Sequence, residues 1–263
     1  MFREELSILF RNKGNHMEKF YVRLADRNIA VSANYPTTKQ FCKNYIIEEP
    51  DEVDVDITIT LEDIQDERDM ADQANLTWAT EQYLETLSLH RKVSEALTKF
   101  HTVLFHGSAI AVDGEVYLFT APSGTGKSTH TRLWREHFGQ RAIMVNDDKP
   151  FLHLNEDGSM TVYGSPWDGK HRLSANVALP LKAICILAQA PENHIEKVSK
   201  TDSLQSVFLQ TFWSKSNPVM VKDSLEVLTG MLSQPLWSLG CNISKEAVKV
   251  SYEAMSGKQL EVI

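Results

Sequence analysis

A loop of residues 121–128, with the sequence A-P-S-G-T-G-K-S, constrains the fold of this chain more than any other stretch. It follows an apolar, strand-like run and precedes a helical pattern, which is the order of elements in loops that bind phosphates. Gly124 and Gly126 tolerate backbone angles and close approaches that a Cβ atom forbids, so the loop N–H groups can point at a phosphate. One position departs from the usual G-x-x-x-x-G-K-[ST] pattern, because Ala121 replaces the first glycine.

The loop and the start of the following helix are expected to bind a nucleotide together with Mg²⁺. Lys127 would reach the outer phosphates, and the Ser128 hydroxyl would bind Mg²⁺. The positive amino end of a helix that begins near Lys127 would add to the attraction for phosphate. The residues expected to contact the nucleotide are Ser123, Gly124, Thr125, Gly126, Lys127, Ser128 and Thr129.

The acidic residues are concentrated in one stretch, and their distribution limits the classes of partner. The 263-residue chain has a formal net charge of −8, which disfavours a nucleic acid partner. Residues 48–72 carry 12 acids and one base, and the rest of the chain has 26 bases and 23 acids, which is compatible with an anionic ligand. We interpret the acidic stretch as a solvated loop and edge, with a docking surface for a basic partner as the alternative.

Hydrophobic and cysteine patterning indicate a cytoplasmic protein. No apolar run reaches the roughly 18 residues that a membrane-spanning helix needs, so no membrane partner is expected. The first residues carry acids and do not resemble a secretory signal. Three scattered cysteines, Cys42, Cys185 and Cys241, form neither a metal-type pair nor a disulfide framework.

The N-terminal part of the chain is predicted to be rich in β-strands. Residues 1–16 resemble a loosely ordered start. Strand-like patterning extends from residue 18 to about residue 62 and includes the alternating run 53–61, whose valines and isoleucines would share one face. Residues 62–75 are expected to be a charged connection, because they lack apolar periodicity, and residues 83–100 are expected to be a helix.

An Asp113-Gly114 pair between two β-prone runs, residues 103–112 and 115–119, is a strong signal for a tight hairpin. The strand that leads into the phosphate loop is therefore predicted to be the second arm of an antiparallel hairpin, unlike the strand of a βαβ unit. His106 lies on the first arm and would be carried back to the sheet that holds the loop.

Two carboxylates, Asp147 and Asp148, follow a short predicted strand of residues 142–145. Ligands of open α/β sheets bind beyond the carboxyl ends of the strands, which is also where the phosphate loop lies. The pair could therefore serve Mg²⁺ and accept a proton, or it could merely cap a turn before Pro150.

A loop of residues 164–172 is rich in turn residues and could fold over the phosphate site. It would then supply cations to a transferring phosphoryl group. A solvated turn is the alternative for its charged residues, and a packing role is favoured for its tryptophan over stacking on a base. The side chains in question are Trp167, Asp168, Lys170, His171 and Arg172.

The remaining patterns complete a predicted α/β fold, with an N-terminal subdomain of residues 1–100 and a core of residues 101–263. A helix should follow the phosphate loop over residues 127–138 and end at Gly139. Further predicted elements are a hairpin of residues 151–154 and 160–163, strands over residues 181–188 and 236–241, and helices over residues 202–213, 224–232 and 244–255, the last capped by Ser244.

Three motifs in this order, His106-Gly-Ser, the loop of residues 123–128 and Asp147-Asp148, resemble those of the HPr kinase/phosphorylase catalytic domain. That superfamily shares its P-loop core with the ATP-dependent phosphoenolpyruvate carboxykinases. By motif the likeness covers about residues 100–190, and it extends to short HPr-kinase-like proteins of bacteria, among them kinases encoded in lasso-peptide clusters. The resemblance implies a P-loop kinase core with a mixed sheet, in which an antiparallel hairpin feeds the P-loop.

The resemblance also implies roles for the phosphate-binding and metal-binding residues. Lys127 would hold the β- and γ-phosphates of ATP, and Ser128 would bind Mg²⁺. One of Asp147 and Asp148 would bind Mg²⁺, directly or through water. The other would accept the proton of the substrate hydroxyl, and we favour Asp148 for this second role.

Two further residues receive catalytic roles by the same resemblance. His106 would lie beside the proton-accepting carboxylate and the γ-phosphate. Arg172 is the candidate for the arginine that stabilises the transferred charge. The candidate catalytic residues are thus Asp148, His106, Lys127 and Arg172.

The function expected from these residues is transfer of the γ-phosphoryl group of ATP to a hydroxyl, with serine of a peptide or protein as the favoured acceptor. A small-molecule hydroxyl, such as free serine or a sugar, is an alternative within the same chemistry. An inactive nucleotide-binding sensor is the alternative from another class. HPr itself is not expected to be the acceptor, because its recognition signature is missing, and a homo-oligomer is left open.

Overall fold

The computed structural model describes residues 17–213 and 218–260. The expectation of a loosely ordered start at residues 1–16 therefore lies outside the described residues. The chain divides into two compact units, Met1–Lys92 and Val93–Ile263.

The first unit contains a four-stranded sheet in the order β3-β1-β2-β4. Its strands are β1 (Glu18–Leu24), β2 (Arg27–Ala33), β3 (Ile46–Ile47) and β4 (Val55–Thr58). Alternation places Val55, Ile57 and Ile59 in the core and leaves Asp56 exposed, as the pattern predicts, but Val53 precedes the strand and is exposed. The helices described between residues 17 and 98 are α1 (Pro36–Phe41), α2 (Leu61–Gln73) and α3 (Glu81–Thr98).

Helix α2 corrects the prediction that residues 62–75 form a connection without regular structure. The Thr60 side chain accepts a hydrogen bond from Asp63 N, and the Asp63 side chain accepts one from Thr60 N, which is a capping box. The buried face of the helix includes Glu67, whose carboxylate is paired with Arg91 at 2.7 Å. The apolar periodicity is weak in the sequence because a paired carboxylate occupies part of the inward face.

The second unit is built on a mixed sheet of nine strands, so the predicted α/β class with a mixed sheet is confirmed. β11 runs parallel to β7 and β13, and the other pairings are antiparallel. The main path has the order β5-β9-β10-β11-β7-β6-β8, while β13 pairs with β11 and β12. The strands are β5 (Thr102–Leu104), β6 (Ser108–Val112), β7 (Glu115–Thr120), β8 (Ala142–Asn146), β9 (Phe151–Leu154), β10 (Met160–Tyr163), β11 (Ala178–Gln189), β12 (His194–Lys197) and β13 (Leu236–Cys241).

Helices cover both faces of this sheet, as the alternation along β7 shows. Val116 and Leu118 belong to one apolar cluster, and Tyr117 and Phe119 belong to another. The first cluster includes side chains of α5 (Lys200–Gln210) and α6 (Pro218–Met231), and the second includes side chains of α4 (Lys127–Phe138) and α7 (Lys245–Ser256). The predictions that α4 spans residues 127–138 and that Ser244 caps α7 are confirmed. Within the described ranges, the helices are too short or too polar to cross a membrane.

The predicted hairpin of β6 and β7 is present and places the phosphate loop. Val112 lies opposite Glu115, and the two turn residues, Asp113 and Gly114, have φ angles of 52° and 84°. Positive φ at both central positions is the geometry of a tight two-residue hairpin turn. β7 therefore reaches the loop as the second arm of an antiparallel pair, with β6 between it and β8.

Candidate functional site

Three chain segments meet at one edge of the nine-stranded sheet because of strand register. Ser108 at the start of β6 lies opposite Phe119 near the end of β7, and Ala109 lies opposite Asn146 at the end of β8. β6 is antiparallel to both neighbours, so its amino end lies beside their carboxyl ends. The phosphate loop, the segment with His106 and the Asp147-Asp148 pair are thus brought to the same edge.

The loop geometry requires its two glycines but not a third. Gly124 and Gly126 have φ angles of 82° and 117°, which other residues rarely adopt, and no atom would obstruct a Cβ at either position. Ala121 has no positive φ, and it is buried in the apolar cluster beneath α4. The methyl group in place of the first glycine of the motif therefore packs without backbone strain.

Lys127 is folded back onto its own loop. Its Nζ donates hydrogen bonds to Ala121 O at 2.8 Å and Pro122 O at 3.3 Å, and its side chain is buried. Burial lowers the pKa of Lys127, while the nearby carboxylates of Asp148 and Asp147 act in the opposite direction. The ammonium therefore lies against the carbonyls at the start of the loop.

Asp147 is buried and connected to α4 by two hydroxyls. Ser108 Oγ donates to Asp147 Oδ1 at 2.7 Å, because an ionised carboxylate can only accept. Ser108 Oγ must therefore accept from Thr131 Oγ1, which lies 2.8 Å away. Thr131 is one turn beyond Lys127, so this chain of hydrogen bonds fixes Asp147 relative to the helix that carries Ser128.

Asp148 is more open and faces two basic groups. Its Oδ1 lies 3.4 Å from His106 Nε2 and 3.3 Å from Lys149 Nζ. About 36% of the Asp148 side chain is exposed. The adjacent carboxylates thus differ, because Asp147 is enclosed and hydrogen-bonded whereas Asp148 can meet a substrate.

The pKa of His106 is lowered mainly by burial, and further by the positive charges of Lys149 and Lys127. Its hydrogen bond to Gln210 and the charge of Asp148 act in the opposite direction. The net lowering of the pKa favours the neutral form of the imidazole.

Asn146 organises the backbone of the carboxylate pair, a role that the sequence interpretation missed. Its Oδ1 accepts hydrogen bonds from Asp148 N at 2.8 Å and Lys149 N at 2.6 Å. Its Nδ2 donates to both the backbone and side-chain oxygens of Ser165 at 3.1 Å. An asparagine directly after a strand and before the carboxylates was the available signal, since asparagine side chains commonly bond the backbone two residues on.

The sequence interpretation also missed Ser108, Lys149 and Gln210. Ser108 stands in the His-Gly-Ser motif, and Lys149 directly follows the Asp-Asp pair, so both were within recognisable motifs. No sequence signal connected Gln210 to the site, because it lies 104 positions from the histidine that it contacts.

The loop of residues 164–172 contacts the site through Gly169. A Cβ atom at Gly169 would lie 3.2 Å from Asp148 Cβ, which places the loop backbone against this carboxylate. Arg172 instead pairs with Asp168 at 3.4 Å, and about 63% of its side chain is exposed. Trp167 is buried and packs edge-on against Phe151, in agreement with the favoured packing role.

Lys170, His171 and Arg172 are exposed at the surface of this loop. Asp168 also accepts a hydrogen bond from Ser174 Oγ at 3.0 Å. Arg172 therefore pairs with Asp168 and not with Asp148. Its role in stabilising charge on a transferred phosphoryl group stays a prediction.

A cleft of about 600 Å³ opens beside the phosphate loop. Its floor includes residues 124–126 of the loop, and its walls come from α4 and from the chain beyond β11 and β13. Gln189 Nε2 bonds Thr125 O at 3.1 Å and so connects the end of β11 to the loop. The apolar side chains in the walls are Leu133, Leu187, Pro191 and Ile243.

The oxygen donors at the sheet edge fit Mg²⁺ only in company with phosphates. Among residues 17–213 and 218–260, no cluster of three or more His, Cys, Asp or Glu side chains could hold a metal ion by itself. Mg²⁺ commonly uses one or two carboxylates together with substrate phosphates and water. One of Asp147 and Asp148, together with the Ser128 hydroxyl, would provide that kind of partial ligand set.

No family model and no curated protein matches this chain. Among solved structures, the chain is similar to the Hpr(Ser) kinase/phosphatase from Coxiella burnetii, with a TM-score of 0.33 and 10% identity, over 59% of this chain and 95% of that chain. At this TM-score and identity, the likeness does not decide the fold or the activity of the chain.

Proposed function

We propose that this chain is a Mg²⁺-dependent kinase that transfers the γ-phosphoryl group of ATP to a hydroxyl, with serine of a peptide or protein as the favoured acceptor. The observation that carries the proposal is the difference between Asp147, which is buried and hydrogen-bonded, and Asp148, which is accessible, at the strand end beside the phosphate loop. Phosphoryl transfer depends mainly on alignment and charge neutralisation. One enclosed carboxylate and one accessible carboxylate suit the two tasks of holding a metal and receiving a proton.

In this proposal each site residue has one task. Lys127 binds the outer phosphates, and Ser128 and Asp147 hold Mg²⁺. Bound Mg²⁺ would neutralise phosphate charge and orient the transferring group. Asp148 accepts the hydroxyl proton, because it is the accessible carboxylate and lies against His106.

The geometry favours Lys149 as the cation that stabilises negative charge on the transferred phosphoryl group. Its Nζ lies 3.3 Å from Asp148 Oδ1, and about 26% of its side chain is exposed. It also lowers the pKa of both Lys127 and His106, which indicates that its charge acts on the whole cluster. Arg172 is the alternative, in case the loop of residues 164–172 rearranges when a substrate binds.

The cleft beside the loop is our proposed site for the base and sugar of the nucleotide. It is continuous with the glycines that would hold the phosphates, and its walls are largely apolar, as expected for a pocket that receives an aromatic ring. Ala190→Trp should fill the cleft and weaken ATP binding while leaving the binding of inorganic tripolyphosphate unchanged. Equal affinities of the native chain for ATP and tripolyphosphate would contradict a nucleoside site here.

The acceptor class is tested with γ-labelled ATP, Mg²⁺ and a panel of serine peptides, free serine and sugars. Label on a peptide serine supports the favoured acceptor, and label on a small molecule selects the alternative. Tight ATP binding without label transfer or acceptor-stimulated hydrolysis would make the chain a nucleotide-binding sensor.

A further inference from the structure

The end of helix α5 holds His106 at two points. Backbone His106 N donates to Gln210 O at 2.8 Å, and the ring Nδ1 lies 2.6 Å from Gln210 Oε1. The neighbouring residues extend the contact, because Phe105 forms an antiparallel bridge with Thr211, and Phe212 N donates to Leu104 O at 2.9 Å. The ring is thus fixed by a short ladder between the chain before β6 and the chain after α5.

The contact with Gln210 determines which ring nitrogen carries the proton. An amide oxygen can only accept a hydrogen bond, so Nδ1 must be the donor. In the neutral ring, Nε2 then has a lone pair and no proton. Nε2 faces Asp148 Oδ1 at 3.4 Å, and the ionised carboxylate is also an acceptor. Two acceptors at this distance do not bond each other until a proton is placed between them.

We propose that Gln210 is a positioning residue that keeps His106 in the Nδ1–H tautomer, so that Nε2 accepts a hydrogen bond from Asp148 after this carboxylate has taken the hydroxyl proton. The inference rests on the proposed kinase function and deepens it. The opposite tautomer would already direct an Nε2–H at Asp148 and would stabilise the charged carboxylate before transfer. With Gln210 in place, Nε2 instead offers an acceptor to the O–H of the protonated carboxyl.

In the proposed step, an acceptor hydroxyl attacks the γ-phosphorus of ATP. The hydroxyl oxygen forms a bond to the γ-phosphorus, and the bond from that phosphorus to the β,γ-bridging oxygen breaks. The electron pair of the broken bond stays on the terminal oxygen of ADP. The hydroxyl proton moves to Asp148, whose O–H then donates to His106 Nε2.

The tautomer can be measured by long-range ¹H–¹⁵N NMR of the ¹⁵N-labelled full chain, with the His106 signals assigned from a His106→Gln spectrum. In the native chain, Nδ1 should show the shift of a protonated nitrogen and Nε2 that of an unprotonated one. Gln210→Met keeps the side-chain length and removes the acceptor, so the ring should move toward the Nε2–H form. Gln205→Met, on the exposed part of the same helix, should leave the native pattern.

A native spectrum with Nε2–H, or an unchanged tautomer in Gln210→Met, would overturn the inference. In the transfer assay, Gln210→Met should lower kcat by roughly 10- to 100-fold with little change in KM for ATP. An equal loss in Gln205→Met would assign the effect to the helix and contradict a specific role. If the native chain transfers no phosphoryl group, the kinase proposal fails, whereas the spectra still decide what Gln210 does to the ring.

Discussion

Ser108 Oγ donates a hydrogen bond of 2.7 Å to Asp147 Oδ1, and no equivalent hydroxyl satisfies Asp148 among the described residues. This difference separates two adjacent carboxylates that have the same intrinsic chemistry. Asp147 is held in one orientation against α4 through Ser108 and Thr131. Asp148 is directed at the open side of the site, where His106 and Lys149 approach it.

Ser108→Ala should weaken the binding of Mg²⁺ rather than the binding of ATP itself. Without its donor, Asp147 loses its fixed orientation, and the Mg²⁺ concentration for half-maximal activity should rise about 10- to 100-fold. The measurement is a Mg²⁺ titration of phosphoryl transfer at saturating ATP. Ser203→Ala is the matched control, because Ser203 is also a buried serine and its Oγ has no hydrogen-bond partner among the described residues. An equal effect in both variants would contradict the role of Ser108.

Lys127→Ala should remove most of the affinity for ATP. The side chain holds its ammonium against the loop carbonyls, and no other lysine is bonded to these carbonyls among the described residues. We expect ATP affinity to fall at least about 100-fold, as for loss of a charge-assisted contact in an enclosed site. Isothermal titration calorimetry measures this loss, and Lys170→Ala is the control because Lys170 is an exposed lysine. An unchanged ATP affinity in Lys127→Ala would contradict a phosphate site at this loop.

Lys149→Met should lower kcat more than Arg172→Met does. Lys149 is adjacent to Asp148, whereas Arg172 pairs with Asp168. Loss of a cation that stabilises transferred charge should reduce kcat at least about tenfold, while loss of Arg172, whose largely exposed guanidinium pairs with the buried Asp168, should have little effect on kcat. Steady-state kinetics of both variants decide between the two cations. A larger loss in Arg172→Met would restore the arginine that the sequence favoured and would imply that its loop moves on substrate binding.

His130 should make the metal-free protein sensitive to acid. Its ring is buried, Trp134 Nε1 donates to its Nε2 at 3.1 Å, and burial lowers its pKa to about 4. The pKa of this histidine is 6.5 in the unfolded chain. Between pH 6.5 and pH about 4, the residue is therefore protonated in the unfolded chain but not in the folded chain, so the free energy of unfolding falls as the pH falls. From pH 7 to pH 4.5, this residue should cost about 2 to 3 kcal/mol of unfolding free energy.

Urea unfolding at both pH values checks the effect of His130. His130→Gln should have lower stability at pH 7 but a smaller loss between the two pH values than the native chain. The same loss in both proteins would show that other groups control the acid sensitivity.

Local sequence signals account for the parts of the fold that were predicted well. The β6–β7 hairpin follows from Asp113-Gly114, and the bounds of α4 follow from the loop glycines at one end and Gly139 at the other. Helix α2 was missed because its inward face includes Glu67, and the burial of that carboxylate depends on Arg91 elsewhere in the chain. Apolar periodicity does not detect a face that is completed by an ion pair.

In the candidate site, likewise, residues in contiguous motifs could be predicted, and residues that are distant in the sequence could not. The loop and the Asp147-Asp148 pair stand in contiguous motifs, so residue type and spacing pointed to them. Gln210 and Thr131 act through contacts that exist only once the sheet has formed. The cation near Asp148 was assigned to Arg172 because the resemblance supplied an arginine, whereas side-chain geometry favours Lys149.

The most direct test of the account compares Asp148→Asn with the native chain in two assays on the same preparation. ATP affinity, measured by titration with Mg²⁺ present, should change by less than about threefold, because Asp148 does not hold the phosphates in the proposed mechanism. Transfer of label from γ-labelled ATP to the best acceptor should fall about 100- to 10,000-fold, the range for loss of a general base. Full transfer activity in Asp148→Asn would contradict the central claim that this carboxylate receives the hydroxyl proton.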